Sequence, residues 1–140
     1  MMRLFSLILF GLAVFTAGLM APAWAGDEDP LFINLTSDDP HRADMAITFG
    51  ERQFERGHPL TIFLNDKGVW IGARAQSEIF GPHQVRLGTL IEQGARVLIC
   101  PMCMKHYGVT EEDVIPGVQL GNPELTGGAL FAEDTKTLTW

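Results

Sequence analysis

Cysteine is scarce in this chain: there are two among 140 residues, Cys100 and Cys103. A lone pair leaves no second CxxC to complete a closed four-ligand zinc site and no further thiols for a disulfide framework. Basic residues are also few, ten against seventeen acidic ones, for a net charge of −7 at pH 7. That balance argues against nonspecific attachment to nucleic acid or anionic lipid, and no nucleic-acid partner is expected. The chain has no GxGxxG run, no phosphate-binding P-loop, no internal repeat and no low-complexity tract.

What the chain does have begins with Arg3, an apolar run from Leu4 to Met20, and then Ala21-Pro22-Ala23-Trp24-Ala25. This is the layout of a secretory signal with cleavage expected after Ala25. The run approaches the length of a membrane anchor, but its small-residue end and the lack of a following basic cluster favour removal. No cysteine stands near the cleavage point, which excludes a lipoprotein anchor. The expected product is a periplasmic or secreted protein with no stable membrane anchor. Residues 26–30, "GDEDP", read as a flexible leader, and residues 31–140 as one domain with a modest core.

Within that domain, strand-like and helical stretches alternate. "LFINLT" is a strand, followed by Asp39-Pro40, a capping carboxylate and a proline suited to the first helical position. Ala43, Ala46, Ile47, Gly50 and Phe54 then share one helical face, which Gly57 ends. "HPLTIFLN" is a second, doubly covered strand. Residues 66–82 read as irregular, with a short strand or loop at Val69–Ile71 and a mobile connection after it. Residues 83–94 read as a helix, and "ARVLIC" as the third strand. A short helix at most follows the cysteines and closes at Gly108. The capping-box run Thr110 to Asp113 starts another short helix. "VQLG" is a strand, residues 122–135 a weak helix or turn, and "KTLTW" a closing strand. This alternation predicts an α/β domain, a three-layer flavodoxin-like arrangement with a mainly parallel sheet of about five strands. Such sheets bind ligands beyond the carboxyl ends of their strands, typically between the first and third. Cys100 would then lie near Ser37-Asp38-Asp39.

Export gives "CPMCMKH" (100–106) its interest. Disulfides persist outside the cytosol, but a staple across so few residues removes little unfolded-state entropy, so the pair reads as chemical. Cys100 and Cys103 are the candidate catalytic residues, at a strand-to-helix junction whose free N–H groups favour a thiolate. Lys105 and His106 could add positive charge there, and Asp38 and Asp39 would act as nearby carboxylates. Three chemistries fit: thiol–disulfide exchange, persulfide formation on one cysteine with release or protection by the other, or soft-metal binding. In the last, Cys100 and Cys103 with Met102, Met104 or His106 would hold Cu(I). No cofactor is expected. The loop after the first strand, "TSDDPHR", places two carboxylates where a flavin phosphate would sit.

The cysteine segment resembles the motif of the DsrE/DsrF-like sulfur-trafficking family. In that family a strand ends in cysteine, and a short helix leads to a Gly-aliphatic pair eight residues on, as Cys100 and Gly108-Val109 do here. Some members carry a second cysteine where Cys103 stands. "DPHRADMAITFGERQFERGHPLTIFLNDKGV" is similar to the family's first helix, glycine-histidine turn, second strand and dGV turn, and "KTLTW" to its last strand. The likeness covers most of residues 31–140. It implies a flavodoxin-like parallel sheet, a trimeric or hexameric homo-oligomer, and a sulfur-relay role inherited by position at Cys100 alone. A sulfurtransferase, a sulfur carrier or a thiol–disulfide oxidoreductase is therefore expected, with a sulfur donor, acceptor or thiol partner protein. The alternatives are a periplasmic metal-binding module and a noncatalytic oligomeric scaffold.

Other residues read more plainly. His58 is a polar loop histidine, Met102 and Met104 are packing or partner-surface residues, and Glu111-Glu112-Asp113 is a favourable helix start. Trp70 and Trp140 are core or subunit-contact aromatics.

Overall fold

The computed structural model describes residue 26 and residues 28–140, so the expected secretory segment lies outside the described residues. The elements are β1 (Leu31–Leu35), α1 (Pro40–Phe54), β2 (Leu60–Leu64), a 3-10 segment (Asp66–Gly72), α2 (Ser77–Glu92), β3 (Arg96–Ile99), α3 (Pro101–Tyr107), β4 (Gln119–Leu120), α4 (Pro123–Leu130) and β5 (Lys136–Thr139). Two single 3-10 turns, Arg74–Gln76 and Glu111–Asp113, complete the set. Among the described residues no helix is long and apolar enough to cross a membrane.

All five strands pair in parallel, in the order β4-β3-β2-β1-β5, with helices on both sides of the sheet. The expected α/β class is therefore the observed one. Register places Leu31, Ile33 and Leu35 beside Leu60, Ile62 and Leu64, and Ile62 and Leu64 beside Val97 and Ile99. Because side chains alternate along a strand, these residues share one face and form the floor of the core. Ile33, Leu35, Ile62, Leu64 and Ile99 are fully buried there. Truncating any one of them to alanine is expected to cost about 2–5 kcal/mol, the transfer loss plus the cavity.

The helical stripes fit that floor. Asp39 caps α1 by accepting the Arg42 N–H at 2.8 Å, and Pro40 occupies the first helical position, as the sequence predicts. The buried stripe of Ala43, Ala46, Ile47 and Gly50 is made of small residues. A Cβ on Gly50 would already stand 3.0 Å from Ile33 Cδ1, so the helix lies close against the sheet. α2 buries Phe80, His83, Leu87 and Leu90. Arg86 ties the two helices together: its Nε donates to Glu51 at 3.0 Å and its Nη2 to Thr48 at 2.8 Å, with Asp44 paired to the same guanidinium.

Three local expectations change. Val69–Ile71 lies inside a 3-10 segment and is neither strand nor loop. α2 starts at Ser77, well before residue 83, and runs through Pro82. Pro82 and Glu78 are both exposed, so the carbonyl that the proline leaves without a donor faces water. The run after Thr110 makes only one 3-10 turn: Thr110 makes no capping bond, and the Asp113 carboxylate instead accepts the Ala75 N–H at 2.9 Å. Asp29 pairs with Lys136 at 3.2 Å, and Pro30 O accepts the Lys136 N–H at 2.8 Å.

Candidate functional site

Strand order decides which loops meet at the carboxyl edge of the sheet. β3 lies beside β2, and β2 separates it from β1. The segment after β3 therefore packs on the segment after β2, and the expectation of a site between the first and third strands is corrected. The Cys100 N–H donates to Leu64 O at 3.0 Å, continuing the β2–β3 ladder to its end.

Cys100 caps α3 and Pro101 follows it at the first helical position. A capping side chain folds back over its own helix, so Cys100 Sγ accepts the Cys103 N–H at 3.4 Å. That direction takes the sulfur inward, and Cys100 is only 9% exposed and belongs to the core cluster. The expected rim thiol is in this respect a buried one. At the other end of α3, Gly108 takes the left-handed conformation (φ 74°), and the Val109 N–H returns to Met104 O at 2.9 Å.

Cys103, one helical turn on, is half-buried and faces the segment after β2. Its thiol donates to Asn65 Oδ1 at 3.1 Å, and its sulfur accepts the Asp66 N–H at 3.3 Å. Asp66 itself has a left-handed backbone (φ 47°), a conformation aspartate tolerates better than most residues. The Asp66 carboxylate in turn accepts the Tyr107 hydroxyl. Trp70 and His106 pack edge-on against the Tyr107 ring, with centroids at 5.0 and 4.7 Å. Both cysteines are free thiols.

The electrostatics follow from these contacts. Burial, and then the hydrogen-bonding Cys100 side chain, push the Cys103 thiol above its ordinary value, against the opposing pull of the Asp66 N–H. The Asp66 carboxylate, with help from burial, pushes the Tyr107 phenol up to about 12. The site thus favours protonated forms of both groups.

The other expected site residues lie as follows. Asp39 is occupied with capping α1, and Asp38 lies 4.0 Å from Lys67 Nζ, so neither carboxylate contacts a cysteine. β2 stands between their loop and β3, which is the physical reason. Lys105 is exposed, and His106 touches Tyr107 in place of the cysteines. The proposed soft-metal set does not converge: Met102 is 80% exposed while Met104, two positions on, is 3% exposed in the core. Among the described residues no group of three or more His, Cys, Asp or Glu side chains gathers to hold a metal ion. His58 bonds the Asp29 carbonyl through Nδ1 at 2.9 Å, at the opposite end of the sheet. An open groove of about 380 Å³, lined by Asp38, Pro40, Trp70, Gln76, Ile79 and Phe80, meets the cluster through Trp70, which packs on Tyr107, and is not lined by either cysteine.

Asn65, Asp66 and Tyr107 were not singled out by the sequence. The signals were there: "NDKGV" was recognisable as a turn after β2, and Tyr107 is the one tyrosine of the chain, four residues after Cys103.

Comparison with known proteins agrees with this architecture. The family model described as the DsrE/DsrF-like family matches residues 31–133. An uncharacterised protein of Methanopyrus kandleri is 39% identical over 80 residues, which is 56% of this chain and 66% of that protein. An uncharacterised protein of Methanocaldococcus jannaschii is 35% identical over 80 residues, 56% of this chain and 70% of that protein. The match thus takes in just under two thirds of the first relative's length. Among solved structures, a protein of unknown function from Methanobacterium thermoautotrophicum superimposes with a TM-score of 0.68 at 15% identity, over 81% of this chain and 100% of its own. The ychN protein of E. coli gives 0.60 at 21% identity, over 81% of this chain and 99% of its own. At these identities the superpositions speak for the fold alone.

Proposed function

The chain belongs to the DsrE/DsrF-like family, and from that premise we propose that it is an exported sulfur carrier. Sulfur is held as a persulfide on Cys103, with Cys100 behind it as the resolving thiol. Family membership points to a sulfur-relay or redox-related role, and the placement of the two thiols supports the finer reading. One observation carries it: Cys103 is a half-buried free thiol held by the Asn65–Asp66 segment, and Cys100 is its buried neighbour one helical turn back. The resemblance assigns the carrier role to Cys100 by position. Exposure favours the reverse order, because a donor's sulfur must reach the attacking thiolate.

The chemistry balances without a further reagent. The Cys103 sulfur attacks the outer sulfur of a donor persulfide, the donor S–S bond breaks, and the donor leaves as a thiol carrying the proton Cys103 gives up. A partner thiol can then take the sulfur in the same way. Alternatively, Cys100 attacks the inner sulfur of the Cys103 persulfide, forming the Cys100–Cys103 disulfide and expelling hydrosulfide. The sulfane sulfur is reduced as the two thiols are oxidised. The partners are accordingly a sulfur donor and an acceptor. A homo-oligomer also suits this chain, since β5 is exposed along its length and Phe131 is 84% exposed.

The test is to expose the reduced protein to inorganic polysulfide and weigh it intact. The wild type and Cys100→Ser should each gain sulfur mass, Cys100→Ser retaining it longer because it lacks the resolving thiol, and Cys103→Ser should gain none. Sulfur on Cys100 in Cys103→Ser would overturn the order of the two thiols. No added mass on any of the three would overturn the carrier reading, and rapid closure of the internal disulfide without sulfur would favour thiol–disulfide exchange.

A further inference from the structure

We propose that Asn65 is a positioning residue that keeps Cys103 in its thiol form, by presenting an oxygen that accepts S–H and has no hydrogen to give a thiolate. This rests on the reading of Cys103 as the sulfur-bearing residue. Asparagine ends in an oxygen that only accepts and a nitrogen that only donates, so the direction of its amide decides what it can do for the sulfur. Two contacts fix that direction. The Asp66 N–H donates to Asn65 Oδ1 at 2.9 Å, and Asn65 Nδ2 donates to Asn34 Oδ1 on β1 at 3.4 Å. Turning the amide over would set its NH2 against the Asp66 N–H and lose that bond. The oxygen therefore faces Cys103, 3.1 Å from its sulfur, and its remaining acceptor capacity is taken by the thiol proton.

The groups around the sulfur act in the same sense. From α3, Cys100 and Tyr107 face it, and from the 3-10 segment comes the Asp66 carboxylate; Asp38, in the loop after β1, reaches only Tyr107, and the cation of the 3-10 segment, Lys67, lies against Asp38 at 4.0 Å. The groups that face the sulfur itself are neutral or negative. The Asp66 N–H, at 3.3 Å, is the donor the structure offers to a negative sulfur. In a persulfide the ionisable proton sits on the terminal sulfur, one S–S bond of about 2 Å from the Cys103 sulfur that Asn65 Oδ1 contacts. The restraint thus falls on the empty thiol and is relieved once sulfur is loaded. An idle carrier in an oxidising compartment would be quiet, and a loaded one free to ionise and pass its sulfur on.

The experiment is iodoacetamide alkylation of the full chain carrying Cys100→Ser, with the rate at Cys103 followed from neutral to alkaline pH. Adding Asn65→Ala should lower the midpoint of the rate profile by about one pH unit, because a hydrogen bond to the neutral form is removed. Adding Asn65→Asp keeps an oxygen for the Asp66 N–H and brings a negative charge, so the midpoint should rise. Asn34→Ala, which leaves Asn65 in place but frees its amide, should lower it by less. Shifts of opposite sign in the two Asn65 variants are not what mere loosening of the loop would give. Midpoints that stay put, or that move the same way in both, would overturn the proposal. Sulfur loading is read separately: shifted midpoints without sulfur uptake leave the role of Asn65 standing and remove the carrier reading, and uptake with unmoved midpoints does the converse.

Discussion

The loops after β1 and β2 leave the same edge of the sheet with similar equipment, Ser37-Asp38-Asp39 in one and Asn65-Asp66 in the other. Their work differs. The first turns its carboxylates to the N–H groups of α1 and to Lys67. The second grips Cys103 and, through Asp66, the hydroxyl of Tyr107. Composition does not distinguish them. Position does, since β2 lies directly beside β3 and β1 is one strand further away. In a parallel sheet, the loop that serves a cysteine at a strand end is the one on the neighbouring strand, whatever its order in sequence.

The strongest way to break this arrangement is to push the two loops apart. Gly68 packs against the end of β1 so closely that a Cβ there would stand 2.1 Å from Leu35 O, a backbone atom with no rotamer to change. Gly68→Ala should therefore displace the 3-10 segment and cost about 3 kcal/mol, the upper range for overpacking. For a domain of this size that is a fall of roughly 10 °C in thermal unfolding. Cys103 should alkylate faster as Asn65 and Asp66 loosen. Gly81→Ala in α2 is the control, because its Cβ would meet nothing within 4 Å and alanine is the better helix former. Equal thermal shifts in the two variants would remove Gly68 as the point that positions the loop.

A subtler measurement ranks the two loops against each other. Tyr107 is the only tyrosine in the chain, so tyrosinate absorbance reports it without interference. Its phenol should titrate at about 12, against the ordinary 10.0. Asp66→Asn should return it most of the way, while Asp38→Asn should move it slightly, because Asp66 accepts the hydroxyl and Asp38 acts only through space. The linkage sign follows: the folded state holds the proton more tightly than the unfolded chain. The contribution is therefore whole below pH 10.0 and is lost as pH rises through about 12. A larger shift from Asp38→Asn than from Asp66→Asn would invert the ranking.

Much of the fold was legible because it rests on local rules. Asp39-Pro40 announced α1, the Ala43–Ala46–Ile47–Gly50 stripe gave its buried face, and continuous apolar runs marked β1, β2 and β3. Strand order was not legible, because periodicity tells which face a residue occupies and nothing about which strand lies alongside. That one gap misplaced Asp38 and Asp39 and hid Asn65 and Asp66, polar residues that read only as a turn. The glycines of "DKGVWIG" looked like irregularity, yet Gly68 and Gly72 are where the 3-10 segment touches the sheet: a Cβ on Gly72 would stand 2.9 Å from Leu64 Cδ1. The contrast between the two cysteines was hidden for another reason. A strand-end position reads as a rim, but the capping geometry of Cys100 turns its sulfur inward and leaves Cys103 the more accessible.

The smallest expected effect tests the same comparison from its quiet side. Asp39→Ala removes the side-chain oxygen that accepts the Arg42 N–H, leaving an orphan donor in the first turn of α1, and should cost about 1 kcal/mol. Pro40 and the buried stripe of α1 remain, so the helix should survive with a modestly lower unfolding midpoint. Because β2 separates that loop from the cysteines, the alkylation profile of Cys103 and the titration of Tyr107 should be the same as in the wild type. The informative quantity is the pairing of a measurable stability loss with unmoved site chemistry. If Asp39→Ala instead shifted the Cys103 profile as far as Asn65→Ala does, the loop after β1 would belong to the site, and adjacency in the sheet would no longer explain which residues serve the thiol.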